Sequence, residues 1–90
     1  MYLVKITYED NAYLFADQEV REAIFNHFDA FLLEEGIDKD ECYDIYIVSE
    51  CPDTLFRIWE VMFELKKRKL VKAAHVYEMS YKPGKQVLRI

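Results

Sequence analysis

The stretch from Cys51 to Leu70, CPDTLFRIWEVMFELKKRKL, constrains the fold more than any other part of the chain. At 100° per residue, Leu55, Ile58, Trp59, Met62, Phe63, Leu65 and Leu70 fall on one broad arc, which Phe56 and Val61 widen on either side. Arg57, Glu60, Glu64, Lys67 and Arg68 gather into the one polar strip. Pro52 suits a first helical position, where a missing amide hydrogen is no loss. A helix resting on a sheet shows an apolar stripe of roughly 100° or more, and this arc is wider than that role needs. The helix is therefore expected either to be wedged between a sheet and another helix, or to keep an apolar edge for a partner.

Ninety residues make one domain, 1–90, with no room for a second core. Seven Tyr and six Phe supply buried area without help from disulfides or metals, and two Gly with two Pro argue against long loops. Cys42 and Cys51 flank the apolar run Tyr43–Val48. As a strand, that run holds its ends roughly 20 Å apart, whereas a disulfide needs Cα atoms within about 7 Å. Reduced thiols fit a cytoplasmic protein. Residues 2–8 alternate like a strand instead of forming a secretory leader, and no apolar run approaches the roughly 20 residues of a membrane span. No membrane association and no cofactor are expected.

Along the chain, Tyr2, Val4, Ile6 and Tyr8 alternate with Leu3, Lys5 and Thr7, the pattern of a half-buried strand. Asp10-Asn11 suits a tight turn into a second strand at Tyr13-Leu14-Phe15. Asp17 reads as the N-cap of a first helix running to Glu35, with Val20, Ile24, Phe28, Phe31 and Leu32 inward and Gly36 as its stop. Tyr43–Val48 is β-branched and aromatic, the best candidate for a central strand. Val71–Tyr81 is the fourth strand, Lys82-Pro83-Gly84-Lys85 a type II turn, and Gln86–Ile90 the fifth strand. The expected fold is α+β, in the order ββαβαββ: a mixed five-stranded sheet with two helices packed on one face.

Charge is polarised. Residues 9–53 carry fourteen acids against two bases, and residues 54–90 nine bases against three acids. Glu34, Glu35, Asp38, Asp40, Glu41 and Asp44 form the densest acidic set and are the candidate protein-binding residues. Tyr2, Tyr8, Tyr13, Tyr43 and Tyr46 are candidate interface aromatics, whichever of them face outward. Lys66, Lys67, Arg68, Lys69 and Lys72 could grip phosphates, although bases at a helix C-terminus also complement the macrodipole.

Cys51-Pro-Asp-Thr-Leu-Phe-Arg57 has the Cys-x5-Arg spacing, between a strand and a helix, in which it resembles cysteine phosphatases and rhodanese-like enzymes over seven residues. That resemblance implies an anion cradle of backbone amides with a clamping Arg. The chain departs from it where the cradle would form: Pro52 has no amide hydrogen, Leu55 and Phe56 are bulky, and Asp53 repels an anion. His27 and His75 lack zinc-ligand spacing. A catalytic role is not expected.

The leading expectation is a small acidic, non-enzymatic protein-binding module. In size and charge the chain resembles phage-encoded inhibitors, such as anti-CRISPR proteins and DNA mimics. That resemblance implies docking on the basic surface of a larger nucleic-acid-handling protein. The alternatives are a nucleic-acid-associated regulator using the basic end of the second helix, and a homo-oligomeric assembly protein using that helix's apolar surplus, a homodimer being the simplest case.

Overall fold

A computed structural model describes residues 1–9, 12–79 and 84–90. The elements are β1 (Tyr2–Tyr8), α1 (Tyr13–His27), β2 (Ala30–Asp38), β3 (Glu41–Val48), α2 (Thr54–Lys67), β4 (Val71–Glu78) and β5 (Lys85–Arg89). The class is α+β, with five strands in one sheet and two helices. The strands lie in the order β2-β3-β1-β4-β5, and every neighbouring pair is antiparallel. A mixed sheet is not formed, because each helical crossover joins two parallel strands that have a third inserted between them. β3 fills the gap between β1 and β2, and β1 fills the gap between β3 and β4. The first six elements form the split βαβ arrangement called ferredoxin-like, with β5 added beside β4.

Two segments differ from the sequence reading. Tyr13-Leu14-Phe15 is the first turn of α1, not a strand, and residues 30–38 are β2, not the end of a helix. The element order is thus βαββαββ. Ala12, Ala16, Val20 and Ile24 recur every four residues and are all buried, a helical repeat that begins ahead of Asp17. Ala12, not Asp17, is the N-cap residue. Helix spacing at Phe28, Phe31 and Leu32 is outweighed by the sheet, since β3 offers an open edge that β2 fills over eight residue pairs. Lys39 and Asp40, with φ of 51° and 66°, close the β2–β3 hairpin. Gly36 is not a helix stop: it pairs with Tyr43, and a Cβ there would lie 2.5 Å from the Tyr43 hydroxyl. The expected turn residues Asp10-Asn11 and Lys82-Pro83 lie outside the described residues.

One face of the sheet carries the core. Val4 stands between Tyr46 and Val76, and Ile6 between Asp44 and Ala74, in the pairing register. Ala16, Val20 and Ile24 of α1 and Ile58, Met62 and Leu65 of α2 complete the same cluster, so both helices cover that face. The buried side of α2 is Thr54, Ile58, Met62 and Leu65. Phe56, Trp59 and Phe63, the surplus of the broad arc, lie in solvent. Of the two expected outcomes for this helix, the exposed apolar edge is the one formed. Among the described residues no helix is long and apolar enough to cross a membrane.

Candidate functional site

The β2–β3 hairpin and the start of α1 enclose a shallow groove of about 390 Å³, lined by Tyr13, Leu14, Glu35, Gly36, Ile37 and Cys42. Ile37 pairs with Cys42 on the helix-bearing side of the sheet, which aims it at the first turn of α1. Leu14 is 91% exposed and Ile37 72% exposed, so two large aliphatic side chains stand in water across one groove. Single exposed apolar residues are ordinary, but a facing pair is less so.

The six candidate acids do not form one patch. β-Strand alternation divides them between the two sides of the hairpin. Glu34 faces the open side of the sheet, where it accepts a hydrogen bond from the Tyr43 hydroxyl at 3.2 Å. Asp38 is 3.9 Å from the Lys5 ammonium, whose charge also sits 4.7 Å over the Tyr43 ring. Asp40 is at the hairpin tip, and Glu41 is ion-paired with Lys72. Glu34, Asp38 and Asp40 remain exposed around the hairpin.

Glu35 and Asp44 face the other way, into a network under α1. Asp44 is fully buried, so it belongs to the interior and not to a docking surface. Its Oδ2 accepts from the Tyr8 hydroxyl at 2.6 Å and from the Tyr46 hydroxyl at 3.4 Å. Arg21 spans the network, with Nε 3.0 Å from Asp17 and 3.8 Å from Asp44, and Nη2 2.6 Å from Glu35. Tyr13 donates to Glu35 at 2.6 Å. Burial pushes the Asp44 carboxyl above the usual carboxylate range, against the opposing pull of the Tyr8 hydrogen bond and the Arg21 charge. Hydrogen bonds from Tyr13 and Arg21 hold Glu35 below its ordinary value. Burial, reinforced by Asp44, raises the Tyr8 phenol, which therefore stays a donor. The cluster locks α1 to β1, β2 and β3. Sequence reading missed Arg21, although a signal was present: it is the one base between Glu9 and Asp38, amid nine acids.

The basic set is divided too. Arg68 is ion-paired with Glu19 and Lys72 with Glu41, while Lys66, Lys67 and Lys69 are exposed. At the start of α2, Arg57 does return toward Cys51, with Nη1 3.6 Å from its sulfur. The same guanidinium donates to the His27 carbonyl at 2.9 Å and covers the Phe28 ring. The Cys51 amide donates to Thr54 Oγ1 and the Thr54 amide to the Cys51 carbonyl, so these two amides are spent inside the loop. His27 and His75 lie on different elements, α1 and β4.

No protein-family model matches this chain, and no curated protein matches it. Among solved structures it is similar to the crystal structure of protein Atu4242 from Agrobacterium tumefaciens. The identity is 21%, over 92% of this chain and 98% of that one, with a TM-score of 0.49.

Proposed function

We propose that this chain is a non-enzymatic protein-binding module, acting in the cytoplasm as an inhibitor of a larger nucleic-acid-handling protein. It seats the β2–β3 hairpin and the start of α1 on a basic surface of that protein. One observation carries the reading: Leu14 and Ile37 face each other across a groove on a hairpin that exposes Glu34, Asp38 and Asp40. The aliphatic pair lies on the helix-bearing side of the hairpin, and Glu34 and Asp38 on its open side. A partner that clasps the hairpin at its tip, where Asp40 stands, therefore meets an apolar patch beside an acidic one. The acids steer the approach to a positive surface, and the aliphatic pair supplies the area that dehydrates on contact. Two free cysteines, Cys42 and Cys51, suit a reducing compartment.

The test is comparative recovery from nuclease-treated lysate at physiological salt. The wild-type chain is set against Glu34→Lys/Asp38→Lys/Asp40→Lys and against Leu14→Ser/Ile37→Ser. A stoichiometric partner with a basic surface, lost with both variants while their melting temperatures hold, supports the module. Equal recovery by all three chains ends it.

A further inference from the structure

Phe56, Trp59 and Phe63 form a ladder along the outer side of α2. The Phe56 and Trp59 rings are 6.2 Å apart and tilted by 25°, and the Trp59 and Phe63 rings are 5.2 Å apart and tilted by 16°. They are 61%, 41% and 48% exposed. These residues sit on the flank of the helix next to the buried row of Ile58, Met62 and Leu65, and none of them belongs to the core cluster. Charge along the exposed side is ordered as well. The N-terminal half, with Asp53, Arg57 and Glu60, is net acidic, and the C-terminal end, with Glu64, Lys66, Lys67, Arg68 and Lys69, is net basic.

We infer that the occupant of this face is a second copy of the same chain, with the two α2 helices packed antiparallel across a two-fold axis. Self-complementarity of charge selects that occupant and that direction. In an antiparallel pair the acidic N-terminal half of one helix lies beside the basic C-terminal half of the other, and the two macrodipoles oppose. A parallel pair would set like charges side by side. Each copy presents the same ladder, so ring meets ring, with the order already imposed in the monomer. Aromatic side chains bury roughly 150–250 Å² each, so half-exposed rings leave on the order of 300 Å² of aromatic surface per copy. With Leu55 and the lysine stems, the pair would bury about 1,000 Å² in total, the lower end for a specific interface. The dimer is therefore a reversible one that dissociates on dilution. It shares no residue with the groove of Leu14 and Ile37, so either proposal can fail alone.

Trp59 is the chain's one tryptophan, and its emission reports directly on this face. The experiment pairs sedimentation velocity with Trp59 emission over about a hundredfold range of concentration. The expected result is a monomer mass that doubles as concentration rises, with emission shifting to the blue in step. Phe63→Glu, a change at an exposed site, should stay monomeric and red-shifted throughout. Lys66→Glu/Lys67→Glu should weaken association about tenfold or more, and adding Asp53→Lys/Glu60→Lys should restore it. A wild-type chain that stays monomeric at the highest concentration overturns the inference. So does a dimer that Phe63→Glu leaves intact, or a monomer whose Trp59 is quenched by a single-stranded oligonucleotide, since the ladder would then be a base-stacking platform.

Discussion

The Tyr8 hydroxyl donates to Asp44 Oδ2 over 2.6 Å, joining two neighbouring strands beneath α1 where neither side chain reaches water. Phe would fill the space of Tyr8 but leave that carboxylate oxygen short of its strongest donor. An unsatisfied buried acceptor costs about 1–3 kcal/mol. Tyr8→Phe should therefore lower the melting temperature by about 4–8 °C for each kcal/mol lost in a domain of this size. Calorimetry reads it directly, and an unchanged melt would mean that the network does not lock the helix.

The same site sets a pH dependence. Asp44 titrates above its ordinary value of 3.8 in the folded chain, because burial penalises its charged form. The folded state thus holds a proton that the unfolded chain releases, and the associated stability is present below pH 3.8 and lost as pH rises through the folded value. Glu35 works in the opposite sense: held below 4.5 by Tyr13 and Arg21, it contributes above that pH and its contribution is lost in acid. Asp44→Asn removes only the first effect. Denaturant melts of variant and wild type should therefore diverge in the variant's favour as pH rises from about 4 to about 8. A difference constant across that range would mean that Asp44 titrates normally.

Gly36 is required by its neighbour. An added Cβ would come 2.5 Å from the Tyr43 hydroxyl and 2.6 Å from the carbon bearing it. The ring must swing aside, also leaving Lys5. Gly36→Ala should destabilise by about 1 kcal/mol, the lower range for overpacking, because the obstacle is the far end of a side chain. With Tyr43→Ala in the background, the obstacle is gone. The same change should then stabilise by about 0.5–1 kcal/mol, since Gly is a poor strand residue. A double-mutant cycle that shows no sign reversal would refute the contact.

How far the sequence foretells this arrangement depends on where packing overrides pattern. β1, β3 and β4 follow from alternation, because each buries the side that its pattern marks. α2 follows from helical spacing although it buries only part of its apolar arc, and β5 follows from the turn ahead of it, since it is at most half-buried. α1 and β2 do not. Phe28, Phe31 and Leu32 keep helical spacing, but β2 is an outermost strand that packs Ala30 and Leu32 lightly while leaving Phe31 and Leu33 outside, so it carries almost no buried stripe. The acidic cluster is plain as a linear run, yet which members meet depends on strand alternation, and β3 is apolar on both sides of Asp44. Tyr43, Ile45 and Ile47 would make an inner face as readily as Tyr46 and Val48. The groove residue Leu14 was hidden by the strand reading of Tyr13–Phe15.

Lys69 separates a structural from a functional account of the basic end of α2. Its φ is 62°, its amide donates to the Lys66 carbonyl at 2.9 Å, and the Leu70 amide reaches back to the Leu65 carbonyl at 3.1 Å. These two bonds make a Schellman cap, with Lys69 at the left-handed position that glycine normally fills. Lys69→Gly relieves about 1–2 kcal/mol of backbone crowding and gives back roughly half of that in unfolded-chain entropy. Stability should rise by about 0.5–1 kcal/mol in denaturant melts. The substitution also removes one exposed positive charge next to Lys66 and Lys67. If that end of the helix gripped phosphates, oligonucleotide affinity would fall and the salt slope would lose about one unit. For a chain that docks on protein through its acidic hairpin, the variant is more stable and binds its partner as before. Measuring both quantities on this one variant decides between a cap built from an ill-suited residue and a lysine kept for its charge.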